Sequence, residues 1–404
     1  MLAVGIDVSK SKSTVAIIRS DGTVLSKPHD FSHTISDITQ LTALIHSYQE
    51  ETKVALESTG HYHYPILKAL LEAGFTVFVI NPFLVKKFMD NSIRKGKTDK
   101  KDAVRIAHFV LEKSYQLRPY SPTDQKYEDL KFLSRQYSQS VSMKVKARVQ
   151  LSNLLDEIMP GIQNIIPISS RYLENTLFFD FVEKYQSYEK ISQMGEKRFV
   201  NSYIAFAQKH RCRGSQKKAL AIYQAASDGI ITRSPDVTTS LALSQCLLML
   251  KQASSSADLI LRQMQSIAYT MPEYSIVRSM YGVGDRLAPI LIAEIGDVRR
   301  FTSAKALNAY AGNDAPPYQS GQFEGTNRHI SKRGSAYLRK ACYEVMHSLK
   351  VHKPENDPVY QFIIKKESEG KHKTVAKMAG VNKFLRIYYA RAVSYTHLTL
   401  PTNR

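Results

Sequence analysis

The chain has 404 residues, enough for two or three domains at roughly 100–200 residues each, and its 43% hydrophobic content excludes wholesale disorder. Lysine and arginine outnumber aspartate and glutamate 56 to 36, a net charge of +20 that speaks of polyanionic partners rather than of fold. Nucleic acid is the usual partner of such an excess and an anionic membrane surface its rival, while the lack of any 18-residue apolar run argues against a membrane span.

The N-terminus, MLAVGIDVSK, has no basic leader and meets Asp7 at once, unlike a signal peptide. LAVGIDVS then reads as a strand, and STVAIIRSDGTVLSK as two strands around an Asp21-Gly22 turn. SDITQLTALIHSYQEE has helical spacing, with Ser36 or Asp37 as a cap. KVALEST is a strand, YPILKALLEAGF a helix closed by Gly74, and TVFVINP a strand ended by Pro82. FLVKKFMDNSI and DAVRIAHFVLEK are both helical. A three-strand meander followed by alternating helices and strands is the order of an RNase H-like domain, one of several α/β folds that the pattern permits.

Residues 121–272 read as a helical region. A long helix spans 124–158 between Pro122 and Pro160, with Leu130, Leu133, Tyr137, Val141 and Val145 on one stripe. An insert, 161–236, is poorly patterned. From Leu243 the apolar steps alternate three and four through Cys246, Leu250, Ala253, Ala257, Ile260, Met264 and Ile267, a coiled-coil seam. It would serve a hairpin with the 124–158 helix, a dimer, or both. In the C-terminal region, 273–392, Gly282-Val283-Gly284 opens a helix ending near Gly296. This resembles a helix-hairpin-helix turn offering backbone N–H groups to phosphate. Residues 393–404 read as a non-native tail that breaks off a helix. Cys212, Cys246 and Cys342 form neither a disulfide framework nor a zinc set, so a reduced, cytoplasmic setting is expected.

KGKTDKKDA, residues 95–103, sets two acids among lysines. With Thr98 as a cap, Asp99 and Asp102 lie four before Ala103 and Ile106, on the stripe that continues through Ala107, Val110 and Leu111. Lys100, Lys101 and Arg105 would point elsewhere. First-turn acids complement the helix dipole, by about 0.3–1 kcal/mol each, but an inward carboxylate also needs a partner. Asp7 interrupts the first strand and Glu57 ends VALEST. Four carboxylates around one point could hold two Mg²⁺ ions, which can stabilise both the attacking and leaving oxygens of a phosphoryl transfer. Lys97, Lys100 and Lys101 would hold a nucleic-acid backbone beside them.

GIDVSK, ALESTGHYH and KTDKKDA, in this order, resemble the DEDD transposases of insertion sequences, the IS one-ten family; the resemblance assigns a tetrad to Asp7, Glu57, Asp99 and Asp102. LNAYAGNDAPPYQSGQFEGTNRHISKRGSAYLRKACY is similar to that family's second block, whose serine is here Ser320 before Gly321. The resemblance covers about residues 1–160 and 235–390. It implies an α/β plus α architecture. Residues 1–120 would form a RuvC-like, RNase H-fold DEDD domain, 121–272 the helical and coiled-coil region, and 273–392 a mainly helical transposase domain. It further implies a site-specific recombinase of a bacterium or archaeon, associated with the nucleoid. Such a protein works as a dimer or tetramer on element ends and target DNA, guided by a structured RNA. Ser320 would be the nucleophile, assisted by Mg²⁺ at the tetrad.

A serine hydroxyl is a weak nucleophile and needs activation. The nearest histidine in sequence is His329, so no local Ser-His-Asp triad is evident, and Mg²⁺ or a carboxylate is the expected activator. Arg328, Lys332, Arg333 and Arg339 could neutralise a phosphate, with Gly325 and Gly334 as hinges; a purely phosphate-positioning surface is the plainer role for them. Two alternatives remain open at this level: a junction-resolving nuclease that hydrolyses with the tetrad alone, and a decayed, non-catalytic nucleic-acid-binding protein.

Overall fold

The computed structural model describes residues 1–58, 60–89, 98–122, 124–167, 177–316, 319–320, 323–324 and 329–399, with 89, 319–320, 323–324 and 395–399 described along the backbone only. It divides into two compact units, Met1–Pro122 and Thr123–Arg404.

The first unit is a five-stranded mixed sheet in the order β3-β2-β1-β4-β5. Strands β1 (Leu2–Val8), β2 (Lys12–Arg19) and β3 (Val24–Ser32) form the antiparallel meander, while β4 (Thr52–Glu57) and β5 (Thr76–Ile80) are parallel to β1. Gly22 takes φ +89° in the β2–β3 turn, as the Asp-Gly pair predicts. Helices α1 (Ile35–Ser47) and α2 (Tyr64–Glu72) precede β4 and β5 respectively, and α3 (Pro82–Met89) and α4 (Asp99–Lys113) follow the sheet. The cap of α1 is Thr34, not Ser36 or Asp37: its hydroxyl accepts from the Asp37 N–H at 3.2 Å.

Period-two alternation sorts the strand residues between two cores. Leu2, Val4, Ile6, Val54 and Leu56 pack with Leu41 and Ile45 of α1 and with Ile66, Leu67 and Leu70 of α2. Fully burying Leu41 or Ile45 contributes about 1.5–3 kcal/mol each. Ala3, Ile18, Ala55, Phe78 and Ile80 face the other way, against Val85 of α3 and Ile106, Ala107 and Val110 of α4. Together these elements make an α/β domain built on a mixed five-stranded sheet.

The second unit is mainly helical. Its helices are α5 (Gln125–Ile158), α6 (Ile162–Ile165), α7 (Leu177–Tyr185), α8 (Tyr188–Met194), α9 (Glu196–Lys209), α10 (Gln216–Asp228), α11 (Val237–Tyr269), α12 (Tyr274–Ser279), α13 (Leu287–Ile295), α14 (Ala304–Tyr310), α15 (Ala336–His352), α16 (Pro358–Ser368) and α17 (Lys373–Thr399), with a short hairpin of β6 (Gln319–Ser320) and β7 (Phe323–Glu324). Helices α5 and α11 run antiparallel. Leu130 near the start of α5 shares a core with Met264 and Ala268, and Leu151 and Leu155 near its end share one with Leu243, Cys246 and Leu250. The heptad seam is thus covered from within the chain. On α5 the inward stripe bends away from Val145, which is 55% exposed, to Ala147, Leu151, Leu155 and Ile158. Helix α17 does not break at the tail: it continues to Thr399. No helix among the described residues is long and apolar enough to cross a membrane.

Candidate active site and nucleic-acid interface

Strand register places the first two acids. Ile6 of β1 lies opposite Leu56 of β4, so Asp7 and Glu57 follow at the ends of adjacent parallel strands, with strands about 4.8 Å apart. By alternation both belong with Ala3, Gly5 and Ala55 on the face covered by α4, and both are half-buried. Across β1, Asp7 pairs with Thr14, and Thr14 with Asp30 of β3.

Helix α4 runs antiparallel to β1. At its far end Ser114 accepts from Lys53 Nζ at 3.2 Å, where Lys53 opposes Ala3. At its near end the field of Asp99 reaches Lys12, and that of Lys100 reaches Asp30. Thr98 caps the helix as expected, accepting from the Lys101 N–H at 3.3 Å. The crossing is unusually close: a Cβ on Gly5 would stand 2.1 Å from the Ala103 carbonyl oxygen and 2.3 Å from the Ala107 nitrogen. Glycine on the strand and two alanines four apart on the helix let the backbones touch. The first turn of α4 is thereby brought to the sheet edge that carries Asp7 and Glu57.

The electrostatics of this corner differ from the sequence reading in three ways. Asp102 is 9% exposed, but Asp99 faces solvent. Arg105 does not point elsewhere: its guanidinium donates to Asp102 at 3.1 Å. Asp30, which the sequence reading passed over, joins the corner and accepts from Thr14 at 2.7 Å and from Lys12. The hydrogen bond from Lys12, then that from Thr14, holds the Asp30 carboxyl below the usual range, while the Asp30 hydrogen bond chiefly holds Lys12 above its own. Asp30 had no local sequence signal and emerges only from cross-strand register. All these donors are hard carboxylate oxygens, the chemistry a divalent cation such as Mg²⁺ takes. Yet among the described residues no three Asp, Glu, His or Cys side chains form a set that could hold a metal ion. Donor type fits; the oxygens are not gathered, and Arg105 occupies one of the acids. Lys100 and Lys101 are exposed beside them, and Lys97 lies outside the described residues.

In the second unit, Ser320 lies on β6, paired with Phe323 of β7. Gly321, Gly325 and Arg328 lie outside the described residues. The base of this loop is closed by backbone hydrogen bonds from Ser335 to Tyr310 at 2.6 Å, Lys332 to Gly312 at 3.0 Å and Ser331 to Asp314 at 2.8 Å. Gly334 is therefore no hinge. A Cβ there would stand 2.1 Å from the Tyr310 oxygen and 2.4 Å from the Gly312 nitrogen. Arg339, expected on nucleic acid, donates through one guanidinium nitrogen to the Ala311 carbonyl at 2.8 Å. Lys332 and Arg333 are exposed. Buried Glu294 of α13 secures the loop's return: it accepts from Ser134 and Arg135 of α5, both at 2.9 Å, and from Ser335, the cap of α15, at 3.3 Å. Arg135 also stacks 3.5 Å over the Tyr337 ring. The turn of Gly282 and Gly284 does join α12 to α13, but Gly282 packs against α15, where a Cβ would meet the Val345 oxygen at 3.0 Å, while Gly284 has open space. An open groove of about 880 Å³ runs beside it past Tyr343 and His347.

Comparisons with known proteins agree with these two regions. Residues 4–160 match the DEDD transposase family model, and residues 274–361 match the transposase model of the IS116/IS110/IS902 family. An uncharacterized 44.8 kDa protein of insertion element IS116 from Streptomyces clavuligerus is 24% identical over 395 residues, covering 96% of this chain and 93% of that one. A pilin gene-inverting protein of Moraxella bovis is 32% identical over 116 residues, 29% of this chain and 35% of that one. Among solved structures, Thermus thermophilus RuvC with a Holliday junction substrate aligns at 16% identity and a TM-score of 0.24, over 30% of this chain and 99% of that one.

Proposed function

We propose, given that this chain belongs to the IS110/IS116/IS900 family of DEDD transposases, which mobilise insertion sequences, that it is a site-specific recombinase joining DNA through Ser320. The observation that carries this reading is the corner of the first unit, where strand register and the antiparallel run of α4 bring Asp7, Glu57, Asp99 and Asp102 to one sheet edge. Those four residues would hold Mg²⁺, with Arg105 giving up Asp102. When bound, the cation supplies charge stabilisation to phosphoryl transfer. Lys100 and Lys101 lie where they can take a DNA backbone. In the second unit backbone hydrogen bonds close the base of the Ser320 loop, and Lys332 and Arg333 add exposed cations there. A structured guide RNA, a dimer or tetramer, and a cytoplasmic, nucleoid-associated setting complete the reading, supported by family membership and by the charge of +20. The partial likeness to a pilin gene-inverting protein fits site-specific exchange.

The test is a denaturing gel of end-labelled element DNA after reaction. The wild-type chain should give a protein–DNA adduct that survives denaturation. Ser320→Ala should give none, and Asp102→Asn should give an adduct reduced by about 10²-fold or more, the scale on which transition-state charge stabilisation acts. Free DNA ends without an adduct would establish the hydrolytic nuclease instead, and full recombination by Ser320→Ala would sink the serine assignment.

A further inference from the structure

Between α5 and α11 the chain inserts α6 to α10, outside both family matches. Their interior is aromatic: Phe178, Phe181, Tyr188 and Phe199 are all buried. Their surface carries one concentrated feature. Residues 209–218, KHRCRGSQKK, hold Lys209, Arg211, Arg213, Lys217 and Lys218, with no acid among them. Lys209, Arg211, Arg213 and Lys217 are exposed and Lys218 is half-buried.

The fold gathers these charges rather than dispersing them. Helix α9 stops as the Arg211 N–H bonds the Gln208 carbonyl and the Cys212 N–H bonds the Ala207 carbonyl, both at 2.9 Å. Gly214 tucks against Ile204, which a Cβ would approach to 3.0 Å, and Ser215 then caps α10, accepting from the Lys218 N–H at 3.2 Å. The end of one helix and the start of the next are thus bound into one tip. The first turn of α10 holds two lysines and no acid, so cations stand at the positive pole of the helix, where anions are favoured.

Among the described residues no carboxylate pairs with them. The acids on the flank are otherwise engaged: Asp180 lies 3.6 Å from His210, and Glu183 lies 2.9 Å from Lys251. None of the five cations has an ion-pair partner among the described residues. Among the described residues the neighbouring Tyr203 and Phe206 rings are buried and the half-buried His210 ring packs on Phe206 at 4.5 Å between centroids, so the tip presents no exposed phenyl ring on which an unpaired base could stack. Cations with so little ring surface beside them suit a duplex, whose bases are internal and whose phosphates are outside.

We infer that the α9–α10 tip of the insert is a docking surface for the phosphate backbone of duplex DNA. It rests on the reading of this chain as a protein that acts on DNA, and it gives the insert a role: an additional, sequence-independent hold on the duplex.

Fluorescence anisotropy of the full chain with a labelled DNA duplex, and with an RNA duplex of matched sequence, across a salt series tests this. The combined variant R211Q/R213Q/K217Q/K218Q should bind duplex DNA about tenfold or more weakly at physiological salt. Its slope of log K against log salt should be shallower by about 3–4, near one per lost phosphate contact. The charge-keeping variant R211K/R213K/K217R/K218R should retain the wild-type affinity and slope. An unaltered slope in the first variant, a loss confined to the RNA duplex, or an equal loss in the charge-keeping variant would overturn the surface. A wild-type chain with no salt-dependent DNA binding would overturn the DNA-acting reading itself.

Discussion

Glu273 is the residue where burial and charge conflict most plainly. It sits buried before α12, with Oε1 accepting the Tyr127 hydroxyl at 2.7 Å and Oε2 lacking a hydrogen-bond partner among the described residues. Burial pushes its carboxyl up from the ordinary range, more than the Tyr127 hydrogen bond pulls it down. A raised carboxyl binds its proton more tightly in the folded state. Its contribution to stability is therefore full below the unfolded value, 4.5 for this group, and is lost as pH rises through the folded value. Glu273→Gln keeps the acceptor and removes the charge. We expect its melting temperature to exceed wild type by about 2–4 °C at pH 8, roughly 1 kcal/mol for a unit of this size, with the gap closing at pH 4. A constant difference at all pH values, read by thermal melts, would show that desolvation of this carboxylate is not the cause. At the same scale the tetrad shows what helical phase can and cannot tell. Phase puts Asp99 on the inward stripe, yet it is the first residue of α4, at the sheet's end, and stays in solvent. Direction is legible in spacing; cover depends on where the sheet stops. The Arg105 partner of Asp102, by contrast, is an i,i+3 pair that spacing does display.

At the scale of elements, Gly5 decides where α4 sits. The helix backbone lies against the strand backbone there, with no room for a methyl group. Gly5→Ala must therefore push α4 outward or bend β1, and overpacking of this kind costs about 1–3 kcal/mol. We expect a loss at the upper end of that range, because backbone rather than a flexible side chain stands in the way, and chemical denaturation of the first unit would measure it. A stability change within 0.5 kcal/mol would mean the crossing is looser than drawn. Elements with one wet face and one dry face were legible in the sequence: β3, α4, α5 and the α11 seam; β1 and β2, buried on both faces, were legible instead as short apolar runs. The insert was not. In α7 the buried Phe178, Phe181, Val182 and Tyr185 do follow helical spacing, but the helix is only nine residues long, and a helix so short leaves little periodicity to read. The base of the Ser320 loop was equally hidden, since Gly312 and Gly334 meet through backbone contact across twenty-two residues of sequence.

For the whole molecule, the separation of its cores has a thermodynamic consequence. The sheet and α1 to α4 close two clusters entirely within residues 1–122, and the helical unit closes two of its own. A chain of about 120 residues that buries two faces of a sheet has the surface-to-volume ratio of ordinary small domains that fold alone. Residues 1–122, expressed by themselves, should therefore fold cooperatively, with a sigmoidal denaturant transition and dispersed amide resonances. Calorimetry of the full chain should resolve more than one transition, because multi-domain chains depart from two-state melting. Gly5→Ala should lower one of them, and Gly334→Ala, which forces a methyl group against the Tyr310 carbonyl in the other unit, should lower another. If either substitution moved every transition by the same amount, the units would be melting as one body, and the carboxylate corner could not be studied in isolation from the serine loop.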